Sequence, residues 1–168
     1  DCALARARRA FREGNADAAI DLCRIGPTHV PKGKEIQNNF GSLLAENGRS
    51  DLAWPLFRRA LEIDPGYRIA QRNLVVSLRS GGDLEGAKTA GKELFNADAR
   101  DPVANRELAE IARKEEDWRA ATVHLELLGQ VTGDARALRD AGLIRLFEVK
   151  EDLGRAKSLL KASLRIDP

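Results

Sequence analysis

LFRRALEIDPGY, Leu56 to Tyr67, runs as one apolar stripe and then stops. Leu56, Phe57, Ala60 and Leu61 share a helical face, and Asp64-Pro65-Gly66 ends it, because proline donates no backbone hydrogen bond and biases the residue before it away from the helix. The phrase returns, altered, as LLKASLRIDP at Leu159 to Pro168. A helix followed by its own stop signal, used more than once, implies stacked copies of one supersecondary unit.

Working outward, Ala19, Ala53, Ala87 and Ala121 stand 34 residues apart, and Ala156 follows after 35. Gly14, Gly48 and Gly82 keep the 34-residue step, as do Pro31 and Pro65, while Pro168 arrives one residue late. Within the second unit, Ile36, Phe40, Leu43 and Leu44 form one stripe before the turn ENGRS, and Leu52, Ala53, Leu56, Phe57, Ala60 and Leu61 form another after it. Two helices per unit follow. Gly48 suits a left-handed helix end, Ser50 is placed to cap the second helix, and Gly41 set against Ala53 would let the two helices approach closely. Pro55 falls inside the second helix, where a local kink is expected.

These residues resemble the tetratricopeptide repeat family, whose consensus combines a large and then a small residue in helix A with a small residue, an aromatic, an alanine and a proline in helix B. Phe40, Gly41, Ala53, Phe57, Ala60 and Pro65 fill those places. The resemblance implies an all-α, right-handed α-solenoid of antiparallel helix pairs, with residues 1 to 168 as a single array of repeats at about 1–33, 34–67, 68–101, 102–135 and 136–168. The third unit departs from the pattern at Gly91, Leu94 and Ala99, the fourth at Leu125, Leu128 and Gly133. The fifth has a longer turn, FEVKEDLG.

Composition agrees with an ordered helical protein: 43% of residues are apolar and 32% charged, aromatics are only 5%, and no apolar run approaches the length of a membrane helix. The net charge of +2 does not call for nucleic acid. Methionine is absent even at position 1, so the chain is expected to be part of a longer protein, and the compartment stays open. Richness in arginine and alanine points to a bacterial source.

Sites of catalysis or cofactor binding are not expected. SGGDLEGAKT, Ser80 to Thr89, is similar to a phosphate-cradling loop, but Ala87 separates Gly86 from Lys88 and turns the lysine away by about 100°. His29 and His124 lack a third ligand or a nucleophile and read as surface residues; Glu115, Glu116 and Asp117 read as a solvated turn. Cys23 takes the aromatic place of its helix and reads as a small core hydrophobe, with a disulfide to Cys2 as the lesser alternative.

What remains is a binding surface. By the resemblance, the concave face carries Asn38, Arg72, Arg106 and Arg139 at one place of successive units, Asn39 and Asn73 at the next, and Arg79 and Arg113 one turn on. Carboxamides donate and accept together, which suits a peptide backbone, and arginines hold carboxylates through paired donors. The bland alternative is that the same charges solvate the helices and pair along them, as Arg106 with Glu110. The expected function is a non-enzymatic protein-interaction scaffold for an extended, acidic peptide segment, without nucleic acid or membrane insertion. The second expectation is a substrate-recruiting array fused to a catalytic domain such as a glycosyltransferase or sulfotransferase.

Overall fold

In the computed structural model the chain is described over residues 3–26, 33–150 and 152–167. Cys2, His29, Pro31 and Pro168, which entered the expectations above, lie outside these residues. Among the described residues the chain is all-α and has no strand. The helices are α1 (Ala3–Arg12), α2 (Ala16–Ile25), α3 (Lys34–Glu46), α4 (Ser50–Ile63), α5 (Arg68–Ser80), α6 (Leu84–Ala97), α7 (Pro102–Lys114), α8 (Trp118–Thr132), α9 (Ala135–Ile144) and α10 (Leu153–Ile166). Successive helices α1 and α2, α3 and α4, α7 and α8, and α9 and α10 pack against each other as hairpins. The chain divides into two compact units, Asp1–Asp83 and Leu84–Pro168.

The first unit contains α1 to α5. Ala19, Ala53, Cys23 and Phe57 are fully buried, so the periodic alanines and the aromatic place form its core. Gly41 packs against the ring of Phe57: a Cβ at Gly41 would lie 2.7 Å from that ring. Ser50 does not cap α4. It is the first helical residue, with Arg49 before it, and its carbonyl accepts a hydrogen bond from Ser77 Oγ at 3.2 Å. The helix α4 runs on through Pro55. Cys23 is a free, buried thiol whose pKa burial pushes up to about 11, so it stays protonated and packs as an apolar group.

In the second unit Ala87, Leu94, Ala121, Leu125, Leu128, Ala141 and Leu159 are buried. Gly129 and Gly142 provide close approach, since a Cβ at Gly129 would meet Leu138 at 2.5 Å and one at Gly142 would meet Leu160 at 2.9 Å. Asp101, Asp117 and Asp134 cap α7, α8 and α9, each accepting hydrogen bonds from backbone amides of the first turn. The longer fifth turn is a π-helical segment, Arg145–Val149, followed by left-handed Lys150 and Asp152.

The turn geometry is more regular than the turn sequence. Gly14, Gly48 and Gly82 adopt φ of 78°, 74° and 90°. Glu116 and Lys150, which continue the same 34-residue step, adopt φ of 58° and 56°. Each of these hairpin turns therefore uses the left-handed region at one register position, although a side chain there is disfavoured by contact of Cβ with the backbone.

Candidate functional site

In the first unit α1, α3 and α5 bring polar side chains together. Asn73 Nδ2 donates to Asn38 Oδ1 at 2.9 Å and to Ser42 Oγ at 3.3 Å. Asn38 is buried while Asn39, one residue on, is exposed. Beside this cluster opens a cavity of about 370 Å³ lined by Ser42, Glu46, Ser50, Asn73, Val76, Ser77 and Ser80 among others. A second cavity, of about 410 Å³, lies between α1 and α3 and is lined by Arg8, Phe11, Arg12, Leu43, Glu46 and Asn47. Glu46 borders both, so the two depressions adjoin. Arg72 and Arg79 are half-buried on α5.

Arg8 and Arg12 were not singled out from the sequence. The place-by-place register carries Arg79 back to Phe11, so the neighbouring Arg12 escapes a count in steps of 34. A search for cations within one helical turn of each register place would have found it.

The remaining predicted cations lie in the second unit. Arg106 is exposed on α7. Arg113 Nη1 lies 3.7 Å from both Glu110 and Asp140, and Arg139 Nε lies 3.5 Å from Asp140. The pairing along the helix thus engages Glu110 through Arg113, where the sequence suggested Arg106. Asp140 offsets two of the cations, so this unit offers a weaker field to an anion than the cation count implies.

Two polar clusters of the second unit were not anticipated. His124 is not a plain surface residue: its Nδ1 lies 3.0 Å from Asn105 Oδ1 and its ring meets Phe95 edge to face at 5.1 Å. Asn105 is fully buried and spends its amide on the carbonyls of Ala99 and Asp101, at 2.8 and 2.9 Å. Its oxygen is therefore an acceptor, which places the proton on His124 Nδ1. Burial lowers the His124 pKa from its ordinary value, against a weaker opposing pull from Asp117. The other cluster centres on Glu126, 8% exposed, which accepts from Arg145 Nε at 2.6 Å and from Arg155 Nε and Nη2 at 3.0 and 2.7 Å. Both clusters are satisfied internally and tie elements together.

The loop that is similar to a phosphate site does not form one. Gly82 serves the turn before α6, and Lys88 Nζ is bonded to the Glu115 carboxylate. Among the described residues no group of His, Cys, Asp and Glu is arranged to hold a metal ion, and no described helix is long and apolar enough to cross a membrane.

Hairpins of two short helices, stacked with small residues at their contacts and a left-handed turn in each, define an α-solenoid with the fold of the tetratricopeptide-repeat proteins. Similarity to solved structures supports this. A structure of MamA superposes with a TM-score of 0.78 at 17% identity, covering 98% of this chain and 89% of that one. The pilF protein of Pseudomonas aeruginosa gives 0.69 at 22%, covering 99% and 75%. YrrB, described as a tetratricopeptide-repeat protein with an unusual peptide-binding site, gives 0.69 at 15%, covering 100% and 87%. No family model matches the sequence, and the search of curated proteins returned no match.

Proposed function

We propose that the chain is a non-catalytic scaffold that binds an extended, acidic segment of a partner protein along the α1–α3–α5 face of its first unit. The observation that carries this reading is the pair of adjoining cavities on that face, one edged by Ser42 and Asn73, which Asn38 backs, and the other by Arg8 and Arg12. Asn73 commits amide protons inward, and its neighbours Ser42, Ser77 and Ser80 leave short polar groups along the cavity wall, the chemistry that a peptide backbone needs. Arg8 and Arg12, with Arg72 and Arg79 on α5, supply the positive field for carboxylates. Glu46, between the cavities, opposes that field and gives the segment a preferred register: an acidic side chain is disfavoured there and accepted beside the arginines. YrrB, the neighbour whose description includes peptide binding, is consistent with this use of the fold. Arg106, Arg113 and Arg139 remain proposed contacts, in the second unit, for the same kind of acidic segment.

The test is to select peptides from a random displayed library with the wild-type chain and measure their affinity for Arg8→Glu/Arg12→Glu, Asn73→Ala and Arg72→Glu/Arg106→Glu. Acidic selected peptides that weaken about tenfold or more on charge reversal support the reading, as does loss of that difference at high salt. Selected peptides without acidic bias, bound equally by every folded variant, overturn it.

A further inference from the structure

The charges that border the two cavities of the first unit have lost their local partners. Arg9 is bonded to Glu13 at 2.7 Å, which leaves Arg8 and Arg12 as two guanidiniums on a helix with no acid of its own. For Glu46 the cation in reach along the chain is Arg49, three residues on, and Arg49 spends its guanidinium on Asp51 at 3.3 and 3.2 Å. Asn47, beside Glu46, donates to the carbonyl of Leu43 at 2.8 Å. Arg8, Arg12 and Glu46 line one cavity from α1 and α3, yet among the described residues no ion pair joins them.

The cavity between α3 and α5 has Glu46 on its wall and, among the described residues, no cation. Asn73 turns its amide donors to Asn38 and Ser42, so its Oδ1 is left as an acceptor. Ser42 and Ser80 add hydroxyl oxygens. Ala45 and Val76, the latter 38% exposed, add an apolar stretch beside these acceptors. A group that only donates, carried on an aliphatic stem, matches such a wall, and among side chains that combination is lysine.

The second unit does not repeat the arrangement. Two 34-residue steps on from Ser42, Ala45 and Glu46 stand Glu110, Arg113 and Lys114. There Arg113 lies 3.7 Å from Glu110, so the carboxylate has a cation of its own.

We propose, on the reading that a partner segment lies along the α1–α3–α5 face, that this segment carries a lysine about three residues from its acidic group and seats it against Glu46. The offset follows from packing, since α3 stands between α1 and α5 and touches both. Packed helices lie about 8 to 10 Å apart and an extended chain advances about 3.3 Å per residue, so side chains in the two cavities are about three residues apart. The lysine stem lies over Ala45 and Val76, its ammonium meets Glu46 and Asn73 Oδ1, and the acidic group meets Arg8 and Arg12. The site thus reads a pair of opposite charges in a fixed order, and a uniformly acidic segment sets one carboxylate against Glu46.

The test extends the displayed-library selection to three whole chains, wild type, Glu46→Gln and Glu46→Lys, each checked for folding by circular dichroism. Peptides selected by wild type are expected to carry a lysine or arginine at a fixed offset of about three residues from an acidic residue. Replacing that residue by norleucine, which keeps an aliphatic stem and removes the cation, should weaken binding about threefold to fivefold in fluorescence anisotropy, the scale of a partly exposed ion pair. Glu46→Gln should bind the two peptides equally, and Glu46→Lys should select an acid at the offset. Acidic peptides that depend on Arg8 and Arg12 but carry no basic residue at a fixed offset overturn the inference and leave the proposed function standing, as does a lysine preference that Glu46→Gln retains. Peptides with no acidic bias overturn both.

Discussion

The two units handle buried polarity in opposite ways. The first places the neutral groups of Ser42 and Asn73 at a cavity wall, with buried Asn38 accepting from Asn73 behind them. The second closes its polarity inward, with Glu126 between two arginines and Asn105 between His124 and two backbone carbonyls. A satisfied ion cluster rigidifies, whereas an amide cluster at the edge of a cavity keeps hydrogen-bonding capacity for something that enters. The same hairpin scaffold thus leaves polar groups at a cavity wall in one unit and braces an irregular turn in the other.

The largest expected effect tests the brace. Glu126→Ala leaves Arg145 and Arg155 without their shared carboxylate and should cost about 2 to 4 kcal/mol in chemical denaturation, less than a fully buried triad would because Arg155 is partly exposed. Asn73→Ala in the first unit removes only neutral hydrogen bonds and should cost about 1 kcal/mol. Equal losses would remove the contrast between the units. Next is Ala53→Leu, which should cost about 1 to 3 kcal/mol by overpacking a site with no exposed surface.

The turns give a smaller and opposite pair. Glu116→Gly should stabilise by about 1 kcal/mol, because φ of 58° strains a residue with a Cβ, while Gly82→Ala at φ of 90° should destabilise by at least as much. Thermal melts of the two variants check both signs.

The smallest effect is the pH dependence at His124. Its folded pKa lies below the ordinary 6.5, so the unfolded chain binds the proton more readily. The contribution is complete above pH 6.5 and is lost as pH falls from there through the folded value. Denaturation of wild type and His124→Asn across this window should converge as the pH drops. Parallel curves would mean that the imidazole is not buried as described.

Much of the helical frame was legible because its punctuation is local. Gly14, Gly48 and Gly82 announce their own backbone geometry, and the alanines at 34-residue steps announce their packing. Glu116 and Lys150 announce neither: nothing about glutamate or lysine signals a left-handed residue, and only the register shows that they stand where glycine stood. His124 and Glu126 were illegible for another reason. Their partners, Asn105, Arg145 and Arg155, are 19 and 29 residues away and come from other helices, so side-chain spacing within one helix carries no trace of them. The candidate site was half legible. Asn38 and Asn73 could be named by register, but Arg8 and Arg12 meet α3 only through the packing of α1.

The claim that the α1–α3–α5 face is where a partner lies is tested most directly by site-specific photo-crosslinking to the selected acidic peptide. A benzophenone side chain is placed in turn at Val76, on the cavity wall, and at exposed Val123 on α8. The account predicts a crosslinked product at Val76 and none at Val123, with Arg8→Glu/Arg12→Glu suppressing it. Crosslinking at Val123, or equal yields at the two positions, would contradict the account.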